Sequence, residues 1–165
     1  MQQSTCDLSD AYGPRARVLP PTLRHFGGRT RFSGGIATIK CFEDNSALKE
    51  LVRTSGAGRV ALVDGGGSTR YALLGDTIAG EALEHGWAGI VVHGSIRDIA
   101  ALATLDLGIM ALAATPRRSL KNGEGSTGIT IEIAGVACSP GELLFADEDG
   151  VLVIDAAAFE AGNRP

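Results

Sequence analysis

Residues 59–98, RVALVDGGGSTRYALLGDTIAGEALEHGWAGIVVHGSIRD, constrain the fold more than any other part of the chain. An apolar run at 60–63 ends in Asp64 and is followed by Gly65, Gly66 and Gly67. A helical pattern starts after Gly75 and Asp76, with Ile78, Ala79, Ala82 and Leu83 on one face. A second apolar run, 90–92, again ends in glycine and polar residues: Gly94, Ser95, Arg97 and Asp98. Strand, glycine turn, helix, strand and polar turn make a βαβ unit, whose helical crossover calls for parallel strands. Ligands of such units sit beyond the carboxyl ends of the strands. Residues 64–67, 75–78 and 94–98 are all expected at that edge.

A chain of 165 residues has the length of one ordinary domain, so residues 1–165 are read as a single unit. An apolar content of 44% is enough for a core that needs no staples, and it argues against disorder. The net charge of -4 argues against direct nucleic-acid binding, which favours a basic surface, and permits an acidic metal site. Cys6, Cys41 and Cys138 are widely spaced and form no CxxC or Cys/His cluster, so they are expected to be reduced thiols rather than zinc ligands. With no signal peptide, and no apolar run near the ~20 residues that a membrane span needs, the expected location is cytoplasmic with no membrane contact.

Outside the central stretch, residues 5–12 predict a short helix, and Gly13-Pro14 and Pro20-Pro21 an extended linker. Glycine turns at 26–29 and 33–35 flank a short basic strand, 29–32. Residues 36–42 alternate as a strand, and Asp44-Asn45 cap a helix over 46–53. A short helix at 99–104, an apolar run at 108–113 and a basic loop, Thr115-Pro116-Arg117-Arg118, follow. Residues 119–128 are polar and glycine-rich, and are expected to be mobile. Residues 129–133 alternate strictly, and runs at 143–146 and 151–154 flank Asp147-Glu148-Asp149-Gly150 as a hairpin with a solvated acidic tip. A terminal helix is expected over 156–161. The whole reads as α/β: a central βαβ portion with an added layer of antiparallel strands from both chain ends.

Two turns of the central stretch carry chemistry. Arg97 supplies a fork of donors suited to a carboxylate or a developing enolate, and Asp98 a hard oxygen ligand for Mg²⁺ or Mn²⁺. The alternative is that Asp98 caps the next helix and Arg97 pairs with a surface acid. Gly75, Asp76, Thr77 and Ile78 open a helix whose free amides suit an anion, with glycine admitting close approach; the alternative is a plain helix start capped by Asp76. The 64–67 glycines lack the Lys-Ser/Thr of a phosphate loop and are read as packing beside the site. His93 ends a strand near the site and is read as structural, and Ser68 and Ser95 have no evident base partner.

The segments FGGR (26–29), CFEDN (41–45), VDGGGS (63–68), ALLGD (72–76) and HGSIRD (93–98) resemble the family that contains regulator of ribonuclease E activity A and the 4-hydroxy-4-methyl-2-oxoglutarate aldolases. The likeness runs over residues 5–154. Aldolase members are marked by Asp, twenty residues, then Arg-Asp; Asp76, residues 77–96, Arg97 and Asp98 meet that spacing. The pure regulators often lack the acid after the arginine.

The resemblance implies a three-layer swivelling β/β/α fold and a homotrimer with sites at subunit interfaces. It implies a divalent metal, Mg²⁺ or Mn²⁺, held by Asp98, and a small 2-oxo acid bound by Gly75, Asp76, Thr77, Ile78 and Arg97. Arg97 and Asp76 are then the catalytic residues of retro-aldol cleavage to pyruvate, with oxaloacetate decarboxylation as a related activity. The other expectation is a non-catalytic inhibitor that binds ribonuclease E. Longer aldolase relatives carry a C-terminal region whose acid reaches the neighbouring site; none is expected here before Pro165. Some relatives bear a methyltransferase label, but nothing here resembles a site for S-adenosylmethionine.

Overall fold

The computed structural model describes residues 3–162; Pro165, on which the expectation about the C-terminal region rests, lies outside them. In chain order the described residues form α1 (Thr5–Tyr12), β1 (Arg17–Val18), β2 (Arg24–His25), β3 (Phe32–Lys40), α2 (Ser46–Val52), β4 (Val60–Asp64), β5 (Ala72–Leu74) and α3 (Asp76–Glu84). Then come β6 (Gly89–Ile96), α4 (Ile99–Leu102), β7 (Gly108–Ala114), β8 (Ser126–Thr127), β9 (Ile131–Ile133), β10 (Val136–Cys138), β11 (Leu143–Asp147), β12 (Gly150–Ile154) and α5 (Ala156–Gly162). The main sheet runs β1-β12-β11-β3-β4-β6-β7-β2, with β5 beside β6 and β8 beside β3. Its centre, β3-β4-β6-β7, is parallel, and β9-β10 is a separate antiparallel hairpin.

The unbroken apolar runs have a simple cause: both faces of the parallel strands are covered. Along β4, Ala61 and Val63 face one core while Val60 and Leu62 face another, and β6 divides Ile90 and Val92 from Val91 in the same way. The first core is closed by Leu48 and Val52 of α2 and by Ile78, Ala79 and Ala82 of α3. The second is closed by Ile131, Ile133 and Cys138 of the β9-β10 hairpin and by Leu144, Val151 and Val153. Helices, parallel sheet and a second β layer make the three-layer β/β/α arrangement. Burying each such Val, Leu or Ile contributes roughly 1.5–3 kcal/mol, so the sheet is stabilised from both sides. A third cluster packs Leu8 and Tyr12 of α1 against Phe145, Leu152 and Ile154.

Several expectations are corrected. Gly34 and Gly35 are not a turn; they lie inside β3, where the strand passes from antiparallel pairing with β11 to parallel pairing with β4. A Cβ on Gly34 would stand 2.2 Å from the Gly58 carbonyl oxygen, so glycine is required by close backbone approach. Asp147 is not a solvated tip. It is 4% exposed and accepts from the Thr5 amide at 2.7 Å and the Thr5 hydroxyl at 2.6 Å. Asn45, the residue before α2, makes no capping bond; Asp44 Oδ1 accepts the Ser46 amide at 2.8 Å instead. Residues 119–128 are tied down: the Asn122 amide donates to Asp44 Oδ2 at 2.6 Å, and β8 pairs with β3. The short strand β5 went unread because its three residues are too few to show a period.

Candidate active site

β5 ends at Leu74 and β6 at Ile96, and these two strands pair in parallel. The Arg97 amide donates to the Leu74 carbonyl at 2.9 Å, which draws the turn after β6 onto the turn after β5. The Asp76 amide then donates to Asp98 Oδ2 at 3.3 Å. Gly75 makes this approach possible, since a Cβ there would stand 2.6 Å from Asp98 Oδ2 and 3.3 Å from Arg97 Cγ.

Asp98 occupies the left-handed region at φ 58° and ψ 37°, a conformation that a non-glycine residue adopts only when its surroundings hold it. It precedes α4, yet its side chain makes no capping bond, so it is not the helix cap of the alternative reading. Arg97 Nε pairs with Asp98 itself at 3.4 Å rather than with a distant surface acid. Both side chains keep about a third of their surface open to solvent, 33% and 32%. Asp98 Oδ2 accepts only these two long bonds, and Oδ1 meets no donor among the described residues.

The first turn of α3 faces the same place. Gly75 offers no side chain to its amides, and the Thr77 amide is taken by Asp76 Oδ1 at 2.8 Å. The Ile78 amide meets no acceptor among the described residues. An open helix N-terminus carries partial positive charge and attracts a carboxylate.

Gly75, Asp76, Thr77, Ile78, Arg97 and Asp98 all line one pocket of about 260 Å³, so every predicted site residue is brought together. That is a space for a small acid rather than a drug-sized ligand. The same pocket is lined by Asn45, Lys49, Arg118, Ser119 and Lys121, which the sequence reading missed. The one available signal was the basic character around Arg118 and Lys121, and it has no address until the strands are paired. Four cations, Lys49, Arg97, Arg118 and Lys121, face two carboxylates, Asp76 and Asp98, in this pocket. The chain as a whole carries -4, so the site is a local positive field suited to an anion.

No group of three or more His, Cys, Asp or Glu residues is placed to hold a metal among the described residues. A cation here would rest on Asp98 with water and ligand oxygens. That suits Mg²⁺, which binds through one or two carboxylates and keeps much of its water. An oxygen of Asp98 without a donor is consistent with that use.

Other expected neighbours stand apart. Residues 64–67 are not among the lining residues; Gly65 and Gly67 donate their amides to the His93 carbonyl, both at 3.1 Å, and pack the β4 end against β6. His93 lies within β6, not at its end, and also stays outside the pocket lining. Ser68 donates to Glu43 Oε1 at 2.7 Å, where Arg70 also donates at 2.6 Å. The Arg70 guanidinium, with the Ser68 hydroxyl, holds the Glu43 carboxyl below the usual carboxylate range.

The chain matches the RraA-like family model, described as Aldolase/RraA, over residues 5–153. A protein of Pseudomonas syringae pv. tomato, provisionally named a 4-hydroxy-4-methyl-2-oxoglutarate aldolase, is 50% identical over 153 residues, 93% of this chain and 94% of that one. The 4-hydroxy-4-methyl-2-oxoglutarate aldolase of Thermus thermophilus is 47% identical over 154 residues, 93% of each. The solved structure of the RNA-processing inhibitor RraA from Thermus superposes with a TM-score of 0.91 at 47% identity, covering 94% of each chain. By family model, sequence and three-layer fold alike, this chain belongs to the RraA-like family.

Proposed function

We propose that this protein is a divalent-metal-dependent 4-hydroxy-4-methyl-2-oxoglutarate aldolase that cleaves a 4-hydroxy-2-oxo acid to pyruvate, with oxaloacetate decarboxylation as a side activity. The observation that carries the proposal is the meeting of the Asp76 turn and the Arg97-Asp98 turn around one small pocket, 3.3 Å apart at their closest bond. Relatives close to half identical over nearly their whole length carry that activity in their names.

Asp98 would hold Mg²⁺ or Mn²⁺, which when bound supplies Lewis acidity toward the substrate's keto oxygen. The open amides at the start of α3, with Ile78 foremost, receive the substrate carboxylate. Arg97 stands where its guanidinium stabilises negative charge growing on the enolate oxygen. Asp76 orients a water that takes the proton from the C4 hydroxyl. The C3–C4 bond then breaks, its electron pair passes into the pyruvate enolate, a carbonyl forms at C4, and the enolate is protonated at C3. A homotrimer places such sites at subunit boundaries, which light scattering would check.

The test is pyruvate release from 4-hydroxy-4-methyl-2-oxoglutarate with Mg²⁺, with and without a chelator. Arg97→Ala and Asp98→Ala should each lose on the order of 10²–10³-fold in kcat, the usual effect of removing one electrostatic contributor. Full metal-dependent activity in Asp98→Ala would sink the assignment.

A second reading has its own support. The Thermus relative of known structure is named an RNA-processing inhibitor, and an acidic chain suits docking on a basic partner surface. Slower RNA cleavage by a ribonuclease E-type enzyme in the presence of this protein, undiminished by Asp98→Ala, would support docking without chemistry.

A further inference from the structure

Three times in this chain an acid or amide side chain of the Asp/Asn type is followed by glycine: Asp64-Gly65, Asn122-Gly123 and Asp149-Gly150. Glycine places no Cβ beside its nitrogen, so in such pairs the main-chain amide can attack the preceding side chain. Two of the pairs are held in place. Asp64 is 8% exposed, and the Gly65 amide donates to the His93 carbonyl at 3.1 Å. Gly150 belongs to β12, opposite Asp147 of β11. Asn122-Gly123 differs from both. Its two residues are exposed, and the Asn122 side chain makes no hydrogen bond among the described residues. Gly123 lies in the left-handed region at φ 76°, and a Cβ there would meet nothing within 4 Å. The Asn122 carboxamide is therefore free to turn onto the Gly123 nitrogen.

One bond stands in the way. The Gly123 amide donates to Ser46 Oγ at 3.1 Å, so its nitrogen attacks only after leaving that hydroxyl. On either side of it, the Asn122 and Glu124 amides donate to Asp44 Oδ2 at 2.6 Å and 3.4 Å. That carboxylate belongs to a residue only 1% exposed. Just before Asn122 come Ser119 and Lys121, which line the pocket. A change of charge or of chain length at 122 thus falls against a buried carboxylate, on the segment that carries one pocket wall.

We propose that Asn122 is a site of spontaneous deamidation, that Ser46 gates the reaction, and that conversion releases the 119–124 segment from Asp44. The Gly123 nitrogen forms a bond to Asn122 Cγ and the Cγ–Nδ2 bond breaks. Ammonia leaves with the proton that the Gly123 amide gives up. Solvent water then opens the succinimide ring at either carbonyl, giving aspartate or isoaspartate, and nothing is oxidised or reduced. Either product sets a new carboxylate near Asp44, and the like charges repel. Isoaspartate also adds a methylene to the main chain, so the amides of 122 and 124 no longer reach Asp44 together. The reaction uses the chain's own atoms and does not rest on the aldolase reading.

The experiment keeps the full chain folded at neutral pH for days, then maps its peptides by mass spectrometry and counts isoaspartate by enzymatic methylation. Modification is expected at Asn122 and not at Asn45, which is 9% exposed and precedes serine. Ser46→Ala should speed it by about 2–10-fold, the effect of one lost hydrogen bond, while Ser46→Thr, which keeps the hydroxyl, should hold the parent rate. Asn122→Gln should bring it to background at unchanged Tm, since attack then closes a larger, slower-forming ring. Hydrogen exchange at the amides of 122 and 124 should quicken in the aged parent protein and stay as it was in aged Asn122→Gln. An intact Asn122 in the folded protein, while the urea-unfolded chain deamidates there, would overturn the site. Equal rates in the parent and Ser46→Ala would overturn the gate, and unchanged amide exchange after conversion would overturn the release.

Discussion

Gly75 illustrates how one residue type is demanded by the site rather than by its own backbone. Its φ of -137° is open to any residue, so alanine would fit the local chain. The obstacle is Asp98 Oδ2, 2.6 Å from where a Cβ would stand. Gly75→Ala should therefore fold with near-unchanged stability while the Asp98 carboxylate is pushed aside. A displacement of about 1 Å at a reacting centre costs on the order of 10²-fold in rate, so pyruvate formation should fall by that much at unchanged Tm. Full activity in Gly75→Ala would show that the two turns need not meet. The roles of Arg97 and Asp98 could be suggested from their chemistry, but the left-handed backbone of Asp98, which frees its side chain from capping α4, has no local sequence signature.

At the scale of elements, the segment over 115–128 departs most from its sequence reading. Its polar, glycine-rich composition suggests mobility, yet it lines the pocket and is anchored by Asp44, a residue 78 positions away from Asn122. Asp44 is 1% exposed and accepts from the Ser46, Asn122 and Glu124 amides. Burial pushes the Asp44 carboxyl up, but these donated bonds outweigh it and leave it below the usual carboxylate range. Asp44→Ala removes the charged acceptor of three part-buried amide bonds and should cost about 1–3 kcal/mol in urea unfolding. Hydrogen exchange should quicken selectively at Asn122 and Glu124. Unchanged exchange at those amides would mean that Asp44 is not the anchor. No pattern within 119–128 encodes this, because the ordering group belongs to another element.

For the whole molecule, buried carboxylates link stability to pH. Burial pushes Asp147 up as it does Asp44, but bonds from Thr5 and Asp149 outweigh it and hold the carboxyl below its ordinary value of 3.8. A carboxyl lowered by folding releases its proton more readily in the native state. Its contribution is present above the unfolded pKa and is lost as pH falls through the folded one. Tm should therefore hold from neutral pH to about pH 5 and drop steeply below about pH 4. Asp147 also ties Thr5 to a strand end 142 residues later, so α1 should loosen with its protonation. In Asp147→Asn the Tm should be lower at pH 7 and its acid dependence shallower; an acid slope identical to that of the unmodified protein would exclude this carboxylate as a contributor.

The sequence by itself determined the parallel βαβ centre, since apolar runs of strand length separated by a helical period admit little else once connection rules apply. It also marked Asp76, Arg97 and Asp98 as candidates, through the Asp, twenty residues, Arg-Asp pattern on which the family resemblance rests. Only the tertiary structure decided that β3 crosses between two sheet halves at Gly34 and Gly35, that Asp147 is interior, and that Lys49, Arg118 and Lys121 share a pocket with Arg97. The physical reason is range. Periodicity and turn chemistry act over a few neighbouring residues, whereas these features depend on bonds between segments tens of residues apart, whose energies exist only after the chain has closed on itself.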